Sequence, residues 1–99
     1  MNKEEIKKII NEHKNILKKY KVKSIALFGS FVRNEQKEDS DIDFLIVFDK
    51  GTTLFDIVDL QYNLSKILKK KVSIVSKGGL SKYIGPHILK EAETIGEGF

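Results

Sequence analysis

Apolar residues recur at helical spacing near the start of the chain: Ile6, Ile9, Ile10, Ile16, Leu17 and Tyr20, with His13 on the same stripe. This period predicts an amphipathic helix over residues 3–20, with His13 at the edge of a core rather than in a ligand set. Two continuous apolar runs follow, Ile25-Ala26-Leu27-Phe28 and Phe44-Leu45-Ile46-Val47-Phe48. They predict buried strands over about 23–29 and 41–48, joined by a polar loop from Glu35 to Ser40. Leu54, Ile57, Val58, Gln61, Leu64, Ile67 and Leu68 then mark a second long helix, started by Thr52 or Thr53 as cap with Asp56 in its first turn. Val72 to Val75 reads as a short third strand. The run Lys69-Lys70-Lys71 before it places cations at a helix C-terminus, where the helix dipole favours them. Gly78-Gly79 opens a mobile connection, and Pro86, the one proline, suits the first turn of a last helix through Ile88, Leu89, Ala92 and Ile95. His87 in that helix reads as structural. The order αβ(turn)βαβα predicts an α/β (α+β) sandwich, a mixed β-sheet flanked by helices. No linker, repeat or low-complexity tract divides the 99 residues, so a single domain over 1–99 is expected, long enough to bury about two-thirds of its unfolded surface.

Candidate chemistry is concentrated between the first two strands, in GSFVRNEQKEDSDID, residues 29–43. Residues i and i+2 of a strand point to one face, so Asp41 and Asp43 project together while Ile42 turns into the core. Two carboxylates about 4 Å apart repel by roughly 4 kcal/mol at an effective dielectric near 20, a cost that protonation or a bound hard cation relieves. Oxygen ligands of this kind suit magnesium or manganese, which completes its shell with water and substrate phosphate. Gly29 ends the first strand without a Cβ, so a phosphate can approach its backbone, and Ser30 adds a hydroxyl and an N–H at the start of a short helical turn. Arg33 lies three positions on, beside Ser30, and is the only arginine in the chain. Its fixed fork suits a phosphate or a carboxylate. Each signal alone is common in turns, caps and surface ion pairs; their combination at this spacing points to a nucleotide site bordered by the loop that ends at Ser40.

The segment resembles the signature of the DNA polymerase beta-type nucleotidyltransferase superfamily, and the length of the chain resembles its minimal branch, the MNT or MntA-like antitoxins. The likeness runs from the first helix to the last. It implies the polymerase beta-like nucleotidyltransferase fold, a triphosphate held by Gly29 and Ser30, and two magnesium ions (or manganese) held by Asp41 and Asp43. Arg33 and Ser40 join the nucleotide-binding set as helpers. The implied activity is transfer of AMP from ATP to a tyrosine of a partner toxin of the HEPN type, which neutralises the toxin.

Two departures from the family pattern stand out. A third carboxylate is usual on a later strand, in a run like Val-Asp-Leu-Val, and the matching run here is Val72-Ser73-Ile74-Val75. Serine can neither hold a metal well nor accept the proton of an attacking hydroxyl at neutral pH. Asp49, Asp56 and Asp59 are poorly placed to replace it. The alternative expectation is therefore a catalytically weakened antitoxin that neutralises its partner by binding. The second departure is Val32-Arg33-Asn34 in place of Ala-Arg-Gly, where asparagine tolerates the left-handed conformation that glycine would adopt.

Composition narrows the function classes further. Without cysteine there are no disulfides and no thiolate metal sites. Without a signal-like or long apolar segment, the expected location is the cytoplasm and no membrane partner is expected. The net charge of +4 would help attract ATP or an acidic partner, yet the basic residues are dispersed among fourteen acids, which argues against nucleic acid. Nucleotide addition to RNA is further disfavoured by the lack of a second domain to hold a strand.

Overall fold

The computed structural model describes residues 1–79 and 85–99. The first predicted helix forms as two: α1 (Lys3–Glu12) and α2 (Lys14–Lys19). Asn2 caps α1 by accepting from the Glu5 N–H at 3.0 Å. The break falls at His13, whose backbone leaves the helical region and whose Nδ1 lies 2.8 Å from the Ile9 carbonyl. The apolar stripe crosses the break. Ile6, Ile10 and Leu17 are fully buried, and Ile9, Ile16 and Tyr20 pack against them.

Strands β1 (Val22–Phe28), β2 (Ile42–Phe48), β3 (Val72–Ser76) and β4 (Glu93–Glu97) form one sheet in the order β3-β2-β1-β4. β1 runs antiparallel to β2 and to β4, and β2 runs parallel to β3, so the sheet is mixed. The parallel pair is joined by α3 (Leu54–Leu68), the crossover helix that such a connection requires. Ile25 and Leu27 of β1 face Ile46 and Phe44 of β2, and these four are fully buried in one cluster with Leu60, Leu64 and Leu68 of α3. Period two then sends Phe28 and Asp43, themselves paired, to the opposite face.

Two expectations change. The last helix, α4, ends at Glu91 (Gly85–Glu91), with Pro86 in its first turn as expected. Ile95 therefore belongs not to that helix but to β4, a strand the periodicity did not predict. Ile88, Ala92 and Ile95 share helical spacing, but Thr94 and Gly96 are poor helix formers, and a free edge of β1 offers the segment hydrogen bonds and a core position for Ile95. The stripe of α3 is also rotated: Leu60 is buried, whereas Leu54 and Val58 are exposed together with Phe55 and Tyr62. Of the two cap candidates it is Thr53 that closes a capping box with Asp56.

Gly78-Gly79 falls in a 3-10 turn, Lys77–Gly79, and the connection it opens, residues 80–84, lies outside the described residues. Among the described residues no helix is long and apolar enough to cross a membrane.

Candidate active site

The end of β1 and the start of β2 meet because these strands pair in register, with Phe28 opposite Asp43. Gly29 follows at φ +82°, a conformation that favours glycine, and opens a 3-10 turn, Gly29–Phe31. A Cβ at Gly29 would collide with Asp43 Oδ2. The turn and the acid are thus in contact, and only glycine lets them approach so closely.

The turn is closed by N–H groups of Val32 and Arg33 donating to the Gly29 carbonyl at 3.1 and 3.3 Å. Phe31 anchors it in the core, nearly fully buried. Asn34 adopts φ +58°, the left-handed conformation expected where the family has glycine. The N–H groups of Ser30 and Phe31 precede the first bond of the turn, so the turn itself does not satisfy them.

Asp43 is half-buried. Desolvation, and next the charge of neighbouring Asp41, hold its carboxyl above the usual carboxylate range. Arg33 opposes that rise, and Glu91 adds to it. The chemistry of the donor set suits a hard divalent cation that takes two carboxylates and leaves its other positions to water and phosphate. Among the described residues no group of three or more histidine, aspartate and glutamate side chains is arranged to hold a metal.

Ser73 stands opposite Asp43 in the parallel register of β2 and β3, the place where a third acid would adjoin the pair. Asp49 instead faces Lys23 at 3.7 Å, and Asp56 is committed to the cap of α3, so neither substitutes. Ser40 closes its own loop: its hydroxyl accepts from the Lys37 N–H at 2.8 Å, and its N–H donates to the Lys37 carbonyl at 3.0 Å.

Sequence reasoning missed Glu91. Its Oε1 accepts from the Gly29 N–H at 3.0 Å and also pairs with Arg33 Nη1. Arg33 Nε donates to Glu35 at 3.1 Å, and the two carboxylates raise the guanidinium further above its ordinary range, Glu35 first. His87 Nε2 lies 3.5 Å from the other oxygen of Glu91, a contact one helical turn apart. The Gly29 N–H is therefore engaged with protein, and what the missing side chain permits is the close approach of the turn to Asp43. No local period or spacing marks this contact, because 62 residues separate Glu91 from Gly29.

A family model described as nucleotidyltransferase domain matches residues 6–95. A candidate protein adenylyltransferase of Methanocaldococcus jannaschii, MJ1217, is 47% identical over 90 residues, covering 90% of this chain and 89% of its own. The protein adenylyltransferase MntA of Thermococcus cleftensis is 38% identical over 89 residues, covering 89% of this chain and 90% of its own. Among solved structures, a candidate minimal nucleotidyltransferase superposes with a TM-score of 0.82 at 32% identity, over 94% of this chain and 95% of that one. The fold is thus the polymerase beta-like nucleotidyltransferase fold. It also matches, at TM-score 0.68 and 18% identity over 91% of this chain and 71% of that one, a complex of tri-AMPylated Shewanella oneidensis HEPN toxin with MNT antitoxin, a likeness of fold alone.

Proposed function

The chain belongs to the nucleotidyltransferase domain family, with the protein adenylyltransferase MntA among its relatives, and from that premise we propose that it moves AMP from ATP to a tyrosine hydroxyl of a HEPN-type toxin, as the antitoxin of that pair. The observation that carries this reading is the contact between turn and acid: Asp43 Oδ2 comes too close to Gly29 for any Cβ there, and the charge of Asp41 acts on the same carboxyl. A triphosphate at the turn would lie close to the two acids, and its charged non-bridging oxygens would need a cation between themselves and the carboxylates. Asp41 and Asp43 would hold magnesium, two ions or manganese in their place, which when bound neutralises the charge developing on the phosphates. Ser30, through its hydroxyl and N–H, and Arg33, through the donors left free by its two carboxylates, would hold the outer phosphates. Ser40 shapes the loop at the rim. The tyrosine oxygen forms a bond to the α-phosphorus while the bond from that phosphorus to the bridging oxygen breaks, and pyrophosphate leaves. The phenolic proton passes to water, since Ser73 offers no base. The solved complex of an MNT antitoxin with an AMPylated HEPN toxin supports this choice of acceptor.

The test is transfer of label from ATP to a HEPN-type toxin in magnesium buffer. Label on a toxin tyrosine, reduced at least ~10²-fold by Asp41→Asn, is the expected result. No label with the unaltered chain, or label indifferent to Asp41→Asn, would sink the proposal.

Ser73 opposite Asp43 favours a second reading, neutralisation by binding with slow or no transfer. A lost general base costs about 10² to 10⁴ in rate, while positioning and charge neutralisation still act. Ser73→Asp should then raise transfer. A pure binder would keep neutralising the toxin after both Asp41 and Asp43 are replaced.

A further inference from the structure

We infer that Glu91 is a positioning residue of the nucleotide site, which fixes the Gly29 turn and aims the Arg33 guanidinium at the phosphates; this rests on the nucleotide reading above. Three observations support it. Glu91 arrives from a part of the chain 62 residues distant, yet one of its oxygens accepts from both the Gly29 N–H and Arg33 Nη1. Its side chain is only 14% exposed, whereas that of Glu35, the other partner of Arg33, is 65% exposed. And it is held from behind by the sheet: two residues later Glu93 pairs with Leu27, the penultimate residue of β1 and two before Gly29.

A carboxylate fixed in this way does two things. It satisfies the N–H of a glycine at φ +82°, which holds the strand-to-turn corner in the shape that brings Asp43 against it. It also takes one donor of Arg33 while Glu35 takes another, so the planar fork is held at both ends, and among the described residues Nη2 has no partner. Without Glu91 the guanidinium would keep only its exposed partner, and ordering it on a phosphate would cost side-chain entropy at the moment of binding. Glu91 touches neither the acceptor nor the reacting phosphorus in this account; it acts through Gly29 and Arg33.

The experiment is calorimetric titration of the full chain with magnesium ATP, for the unaltered protein, Glu91→Ala, Glu91→Gln, Arg33→Ala and the double variant Glu91→Ala with Arg33→Ala. Glu91→Ala should weaken binding about tenfold, the scale of a hydrogen bond to a charged group. Glu91→Gln, which keeps an oxygen for the Gly29 N–H and has the same shape, should lose less. In the Arg33→Ala background, removing Glu91 should cost clearly less than in the unaltered chain, because only its bond to the Gly29 N–H is left to lose, a non-additivity that general destabilisation would not produce. If the unaltered chain binds no magnesium ATP, the nucleotide reading fails and this inference with it. If the unaltered chain binds but Glu91→Ala and Glu91→Gln bind equally well or better, or the losses simply add, only this inference fails. Better binding would mark Glu91 as an internal competitor of phosphate rather than a support. Should Glu91→Ala not fold, Glu91→Gln with and without Arg33→Ala carries the same comparison.

Discussion

Asp43 is held in a state that favours function over stability. Burial and the charge of Asp41 raise its pKa, so the folded chain holds its proton more tightly than the unfolded chain does. A carboxyl raised in the fold contributes fully below its unfolded value, and that contribution is lost as pH rises through the higher folded value. At neutral pH Asp43 is therefore a liability in the metal-free protein. Asp43→Asn should raise Tm slightly at pH 7 in metal-free buffer, and the advantage should shrink as pH falls toward the ordinary value of 3.8. Thermal melts at several pH values check this, and a lower Tm at pH 7 would contradict it. Transfer should be lost in the same variant. At this scale the sequence was informative where chemistry and spacing coincide: Gly29 and Asp43 lie within one fifteen-residue segment, and the turn at Gly29 packs against the Asp43 carboxylate. Glu91 was not legible, because a contact across 62 residues leaves no local period or spacing to read.

Elements followed the periodicity where it was long and capped. α3 begins at Thr53, whose hydroxyl accepts from the Asp56 N–H at 3.3 Å while the Asp56 carboxylate accepts from the Thr53 N–H at 2.9 Å. Those bonds from Thr53 pull the Asp56 pKa below its usual range. Thr53→Ala should cost about 1 kcal/mol and lower Tm by about 4–8 °C, with Thr53→Ser close to unaltered. Equal melting of both variants would show that the cap contributes nothing. The rotated stripe of α3 has a simple cause. Leu54 and Val58 share its spacing with Leu64 and Leu68, but the helix has apolar residues on more than one side, and only packing decides which side is covered. The break at His13 has the same character, since the apolar pattern continues through it and only the backbone reveals it.

For the molecule as a whole, the mixed sheet was legible from the order of elements, and its fourth strand was not. A five-residue segment with one core side chain, Ile95, carries too little pattern to outweigh the helical spacing before it. That one side chain is nonetheless part of the main core cluster. Ile95→Ala should cost about 2–5 kcal/mol and lower Tm by ~10 °C or more, and it should speed hydrogen exchange at the Gly29 amide. Unchanged exchange at Gly29 would mean that β4 and the turn are not coupled. Because β4 lies beside β1 at the sheet edge, vectorial synthesis has an order built into it. A ribosome delivers Gly29, Asp41 and Asp43 early and residues 93–97 much later. A nascent polypeptide thus possesses its acids well before it possesses their frame, and it matures only when a late segment threads back along the first strand.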